Sequence, residues 1–494
     1  MTDAPKSAGR VLSVLSWSYG GAVVSVALQL GYTAWTARVA PHNAFGAYAI
    51  ALTLTQLPGL VATAGLATCV LRAEQLSRAL FHAALRLSLL TGVICWAVIE
   101  VAAPWCAALW EMPELTLFLR LLGCQYLVAP TGCVLLSALR RVGLPGCATV
   151  AELSGQVAGC VVGAVVLTGT GAPAALALAL PITAFTTFGL AVSGTGAKLT
   201  LARDPDTPSG SLLGLSGFLT GFALLRTLAA SAPLWMAGRL LGPAAAGLWS
   251  RAQLLCDVPV NVLLKGLNQA AVPLLADRRS QGLPLTRPAQ HLLYAASAGF
   301  VVFGALAGAG PAALALLLGP GWEGAVALAP AFAASAALQV VYAAGCALDL
   351  ARGTRRDLVL TQLVLLAVTG VGLVGAVGWR EPLPFIAAGA AGLAVGHAVQ
   401  LVRWHRTDTL DATAVARSHL THLTAGVCLA ATGNWGASAL GGLPGAVLAM
   451  SPALLGCWLL RGRLPAYQAA AEIGLLGRPG RRAKHPVTVP VSRL

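Results

Sequence analysis

Seven ionisable residues stand inside stretches that are otherwise apolar: Arg86, Glu100, Glu152, Arg226, Arg251, Asp257 and Lys265. A mid-membrane Arg, Lys or Asp costs about 2.5–3.5 kcal/mol to insert. Such residues therefore face protein or a water-filled cavity. Arginine grips a phosphate bidentately, and lysine acts on it as a point charge. Arg226, Arg251 and Lys265 together define a candidate cationic site for an anionic cargo. Glu152 and Asp257 are the candidates for holding a coupling proton or sodium ion. Arg86, with His82 four residues before it, falls near one end of its apolar stretch and reads as a snorkelling charge.

The stretch that carries Arg251 concentrates polar groups on one side. With Arg251 at 0° and about 100° per residue, Lys265 falls near −40°, Asn261 near −80°, Asn268 near −100° and Asp257 near −120°. Gln269 returns to about 0°, so six polar groups share an arc of roughly 120°. That is the pattern of a cavity wall. An internal ion pair of Asp257 with Lys265 or Arg251 is the alternative. A weaker stripe runs through Ser18, Ser25, Gln29, Tyr32 and Thr36, and Glu152 and Gln156 share a helical face.

These residues need long apolar helices to position them. The 494 residues are 57% hydrophobic and only 10% charged, where soluble domains carry about 25% charged residues. Fourteen apolar segments of about 20 residues or more can be drawn, enough to cross a ~30 Å hydrocarbon core. They run from 13–37 to 444–460, with 212–237 as the seventh and 246–273 as the eighth. The expected fold is an all-α polytopic membrane protein, and the first segment is too long for a cleavable signal peptide. The net charge of +15 reads as topology rather than nucleic-acid binding: 24 of the 32 Lys and Arg fall on the side of the N-terminus, and only Arg38, Arg120, Arg239 and Arg380 fall on the other. Cationic loops stay cytoplasmic. Both termini are therefore expected in the cytoplasm, and the basic tail 461–494 is expected to be disordered near anionic headgroups.

Several classes of chemistry find no support. There is no P-loop, no G-x-S-x-G elbow and no paired-carboxylate motif, so no catalytic residues are assigned. The eleven Cys are scattered without a C-x-x-C pair, which gives no metal site or disulfide framework. His419 and His422 are the closest His pair in sequence and read as a solvated helix end. No cofactor is expected.

One pattern occurs twice, 201 positions apart. Between 38–58 and 239–259, six of 21 positions are identical: Arg38/Arg239, Ala44/Ala245, Gly46/Gly247, Ala51/Ala252, Leu54/Leu255 and Pro58/Pro259. The offset spans six segments, an even number, so both copies enter the membrane from the same side as a parallel repeat. The expected domains are a cytoplasmic segment 1–12, a six-helix bundle 13–193, a linker 194–211, a second six-helix bundle 212–402, a loop 403–418, two more helices over 419–460, and the tail. Each repeated loop would cap the first hairpin of its bundle. The Gly would allow close approach, and the Pro would break the second helix near its middle.

The hairpin ARVAPHNAFGAYAIALTLTQLP, the duplication and the fourteen segments resemble the oligosaccharide-lipid flippases. These are the O-antigen and exopolysaccharide repeat-unit translocases, which share a superfamily with lipid II flippases and MATE-type exporters. The resemblance covers roughly residues 10–460. The family's usual run is Arg-x-Leu-Gly-Pro-x-x-Phe-Gly-x-Tyr; Ala40, Pro41 and His42 depart from it, whereas Leu241, Gly242 and Pro243 keep it. The resemblance implies alternating access and a polyprenyl-diphosphate-linked oligosaccharide as cargo, carried from the cytoplasmic to the outer leaflet. The implied setting is polysaccharide export at a bacterial cell membrane, with membrane lipids as surroundings and no nucleic acid. Arg-rich, Ala- and Gly-rich usage points to a GC-rich genome. A glycan polymerase or glycosyltransferases as protein partners stay open. So do three other readings: a cation-coupled multidrug exporter, a membrane glycan polymerase or ligase, and a non-transporting scaffold.

Overall fold

The computed structural model describes residues 4–63, 66, 70, 78–196, 210–407 and 410–459. The tail 461–494 and most of the 194–211 linker lie outside the described residues. Among the described residues fifteen α-helices follow one another: α1 Ala4–Val39, α2 His42–Thr63, α3 Arg78–Trp110, α4 Glu114–Gly123, α5 Ala129–Arg141, α6 Pro145–Thr170, α7 Ala179–Gly196, α8 Gly210–Leu241, α9 Pro243–Ser280, α10 Thr286–Leu318, α11 Glu323–Arg352, α12 Arg355–Ala376, α13 Leu383–Arg406, α14 Ala412–Ala439 and α15 Gly442–Leu459. A 3-10 turn over Cys124–Leu127 joins α4 to α5, so that Glu114–Arg141 is one passage. There are no strands among the described residues. Nine of the described passages are long and apolar enough, by length and composition alone, to cross a membrane.

Local chemistry sets the ends of these helices. Gly171 closes α6 at φ 63°, and Gly242 separates α8 from α9 at φ 87°, conformations that favour glycine. Asp411 caps α14 by accepting from the backbone N–H groups of Thr413 and Ala414. The Thr413 hydroxyl, which also donates to it, and then these backbone bonds hold its carboxyl below the usual aspartate range.

The chain forms two compact units. The first holds Met1–Val258, Gly310–Ser335 and Gln362–Gly392, and the second holds Pro259–Ala309, Ala336–Thr361 and Leu393–Leu494. The first unit draws on both copies of the repeat, because the repeated hairpins pack on each other.

That packing is reciprocal. A Cβ on Gly46 would lie 1.7 Å from the carbonyl oxygen of Pro243, and one on Gly247 would lie 2.2 Å from that of His42. Residues 46 and 42 are the repeat-mates of 247 and 243, so one contact is made twice. The two repeated arginines also reach crosswise. Arg38 donates to the Leu316 carbonyl at 3.1 Å near the end of α10, and Arg239 pairs with Glu111 at 2.6 Å just past the end of α3. Indole donors close the same ends: Trp322 to the Ala37 carbonyl and Trp110 to the Trp235 carbonyl, both at 3.0 Å. Trp322 also packs edge-on against His42 and Phe45.

The prolines act differently from expectation. Both α2 and α9 run through Pro58 and Pro259 without breaking. A proline frees a carbonyl one turn back and loosens that turn. In α2 the Tyr126 hydroxyl donates to the Thr55 carbonyl at 2.5 Å on that loosened turn.

Small residues drive the remaining close packing in each unit. In the first, Gly155 and Gly159 of α6 meet Thr183 and Ala179 backbone on α7. In the second, Gly304 and Gly308 of α10 abut Gly426 and Gly433 of α14, which docks the first of the two appended helices.

Because overpacking costs about 1–3 kcal/mol, Gly46→Ala and Gly247→Ala should each lower the thermal unfolding temperature in detergent by several degrees. Gly20→Ala and Gly221→Ala, where a Cβ meets nothing within 4 Å, should leave it unchanged. Equal melting curves for all four variants would show that the close approach is not limiting.

Candidate functional site

Proline at the first position of α9 starts the helix at a residue whose missing N–H has no helical partner to lose. One turn later Gly247 seats the helix against α2, and one further turn brings Arg251 inward. Arg251 is 9% exposed, with its guanidinium carbon 4.5 Å above the Phe45 ring centroid. Its hydrogen bond to the Ser250 hydroxyl is long at 3.5 Å. No carboxylate pairs with it among the described residues, and the phenols of Tyr48 and Tyr32 act electrostatically on its charge.

Tyr32 completes the arrangement. Its hydroxyl is buried and has no hydrogen-bond partner among the described residues. A Cβ on Gly163 would come within 2.5 Å of it, so the glycine makes its room. A buried hydroxyl without a partner costs free energy, as does a buried cation without a counter-ion. Both are relieved by a ligand that carries negative oxygens.

Below Arg251 on α9 a polar chain runs along one face. The Trp249 indole donates to Gln253 at 3.0 Å, and the Gln253 amide lies 3.5 Å from Asp257. Asp257 is exposed and forms no ion pair among the described residues, so the alternative pairing with Arg251 or Lys265 is not made. Arg226 on α8 and Gln29 on α1 are exposed. Asn261 and Lys265, also exposed, fall in the second unit. The side chains of Asn268 and Gln269 lie outside those described.

Glu152 has a standing partner. Arg140 reaches both of its carboxylate oxygens, at 2.7 and 2.6 Å. Its neighbour Gln156 clasps α1, accepting from the Ser25 hydroxyl at 2.6 Å and donating to the Ser25 carbonyl at 3.0 Å. Of the expected residues, the structure thus gathers Arg251 with Tyr32, Tyr48 and Phe45. It gives Glu152 to Arg140.

Two polar clusters in the second unit escaped the sequence reading. One is an ion network: Asp349, fully buried, accepts from Arg403 and, at 2.9 Å, from the Trp404 indole. Arg403 also donates to the Thr361 hydroxyl at 2.9 Å and the Asp357 carbonyl at 3.2 Å. The other overturns the view of His419 and His422 as a solvated helix end. His422 is 1% exposed, and His419 lies between Ser297 of α10 and His397 of α13. The missed signal was a third histidine in the twelfth apolar segment, at a sequence distance that only packing closes.

A family profile described as "Polysaccharide biosynthesis protein" matches residues 36–327. Curated protein sequences give no match. Among solved structures, the chain is similar to the lipid II flippase MurJ in an inward closed conformation, with a TM-score of 0.61 and 10% identity, covering 91% of this chain and 99% of that one. It is similar to an inward-facing multidrug resistance MATE family transporter of the MOP superfamily, with a TM-score of 0.57 and 14% identity over 80% and 96% of the two chains. A MOP superfamily transporter from Pyrococcus furiosus gives a TM-score of 0.57 at 16% identity, over 80% and 94%. At such identities the likeness fixes the fold: that of the MOP superfamily transporters.

The two carboxylate–arginine pairs should respond differently to substitution. Removing one partner of a buried pair costs about 3–5 kcal/mol, whereas exposed pairs contribute about 0–1 kcal/mol. Asp349→Ala should therefore sharply reduce the yield of folded protein, and Arg140→Gln should barely move the unfolding temperature. Size-exclusion profiles and melting curves of the two variants, side by side, check this.

Proposed function

The chain belongs to the polysaccharide biosynthesis protein family, and from that premise we propose that it is a flippase for a polyprenyl-diphosphate-linked oligosaccharide. It is a multi-pass membrane protein with the fold of membrane transporters. The observation that carries the cargo reading is Arg251: a buried guanidinium without a carboxylate partner among the described residues, in the same unit as a buried Tyr32 hydroxyl that has no hydrogen-bond partner among them. A diphosphate headgroup meets both needs, since Arg binds phosphate oxygens bidentately and a phenol donates to them. The lipid tail stays in the bilayer while the headgroup crosses.

In this reading the cationic loops face the cytoplasm, and the cargo moves from the cytoplasmic to the outer leaflet of a bacterial cell membrane by alternating access. Arg226 and Gln29, both exposed in the first unit, are proposed to line the path; Lys265 and Asn261 are exposed in the second unit. The crossed hairpins built on Arg38, Gly46, Arg239 and Gly247 are proposed to form its outer closure. Of the two carboxylates considered for ion coupling, Asp257 lacks an ion-pair partner among the described residues and Glu152 does not, which favours Asp257.

A short-chain prenyl diphosphate-sugar should raise the thermal unfolding temperature of the purified wild-type protein. Arg251→Ala should abolish that rise, and Arg251→Lys should keep only part of it, because an ammonium cannot make the bidentate fork. Stabilisation by lipophilic cations in place of the diphosphate-sugar would transfer the assignment to a drug exporter.

A further inference from the structure

Four side chains in the second unit form a line across three helices. Ser297 on α10 lies 2.7 Å from Nδ1 of His419 on α14. Nε2 of His419 lies 3.0 Å from Nε2 of His397 on α13, and Nδ1 of His397 lies 3.0 Å from Gln400 Oε1. Three of the four are buried, with His397 at 6% exposure and Ser297 and Gln400 at 0%, and His419 is half-buried. Space has been made for its end: a Cβ on Gly345 of α11 would come within 2.2 Å of Gln400 Oε1.

The partners set where the hydrogens sit. The Gln400 amide nitrogen faces the Tyr342 carbonyl at 3.5 Å, which only accepts, so Oε1 is turned to His397 and accepts there. His397 then carries its proton on Nδ1 and offers a lone pair at Nε2. His419 must fill the 3.0 Å gap with its own Nε2 proton, which leaves a lone pair at Nδ1 for the Ser297 hydroxyl. Every link then holds one proton, and the line runs Ser297 to His419 to His397 to Gln400.

Ser297 has a second acceptor. The Leu293 carbonyl lies 3.0 Å from its hydroxyl. A proton added to His419 Nδ1 is therefore taken up by reversing one bond: Nδ1–H donates to the serine oxygen, and the serine hydroxyl turns to Leu293. No hydrogen bond is lost. A second added proton would set two N–H groups head-on across the His397–His419 gap, so the line takes up one proton only. His422 offers no equivalent place: its Nδ1 already donates to the Ser418 carbonyl at 2.7 Å, and its buried Nε2 has no acceptor for an added hydrogen. The other titratable groups near the line are Tyr342, Cys346 and Asp349 on α11 and Arg403 on α13. The last two are paired with each other.

We propose that Ser297, His419, His397 and Gln400 form a binding site for a single proton. Its occupancy places a charge where α14, the first of the two appended helices, meets α10 and α13. The site stands independently of the cargo.

The test is a pH titration of the full-length protein, labelled with 15N at histidine and held in lipid nanodiscs, over about pH 4–9. A 15N–15N dipolar contact between two ring nitrogens identifies the close pair in the wild type, without any substitution. The expected result is that both rings of this pair shift with one shared midpoint and take up one proton between them. His397→Gln should remove that shared transition, and His291→Gln should leave it in place. A pair that stays neutral throughout, or whose rings titrate at two separate midpoints to hold two protons, would overturn the proposal.

Discussion

The structure depends on a crossed contact that only glycine permits. Gly46 rests on the Pro243 carbonyl, and its repeat-mate Gly247 rests on the His42 carbonyl. The two backbones approach until no Cβ fits between them. Association inside a membrane gains nothing from hiding apolar side chains, so close backbone packing and hydrogen bonds must supply the attraction. The arginine and indole contacts around the glycines are those hydrogen bonds. Two of them, Arg38 to the Leu316 carbonyl and Trp322 to the Ala37 carbonyl, satisfy carbonyls in the last turn of a helix.

The same contact positions the site. Gly247 and Arg251 are one turn apart on α9, and Phe45, which carries the guanidinium on its face, precedes Gly46 by one residue. Packing the hairpins therefore delivers a cation from one copy of the repeat onto an aromatic ring from the other. Residue 50, the repeat-mate of Arg251, is a buried isoleucine whose side chain fills the space above Gly238. The duplication built a symmetric frame, and the charge was placed on one side of it.

Ions in the low-dielectric interior are settled in three ways here. Asp349 is paired and hydrogen-bonded on all sides, as a structural ion pair must be. His397 and His419 share hydrogens in a line that is complete while neutral. Among the described residues, Arg251 has an aromatic face and a long bond to Ser250. The first arrangement stabilises a fold and the second can change its charge. The third leaves hydrogen-bonding capacity of the guanidinium unused, which is what the proposed ligand site rests on.

Much of this was legible in the residues. Apolar length marked the passages, the 201-residue offset marked the duplicated hairpin down to the residues that touch, and the insertion cost of Arg251 marked it as facing inward. These features are local or periodic, and one-dimensional patterns carry them. The partners were not legible. Glu152 meets Arg140, Asp349 meets Arg403 and His397 meets His419 because separate helices pack at one angle and depth. Hydrophobic periodicity says which face turns inward but not which neighbour it meets. Pro58 makes the same point: sequence predicts a break, and the Tyr126 hydroxyl, brought from another helix, supports the loosened turn instead. Sequence determined the membrane class, the repeat and the costly charges. Tertiary structure decided which charges were neutralised, because that depends on distances of a few ångströms between residues up to hundreds of positions apart.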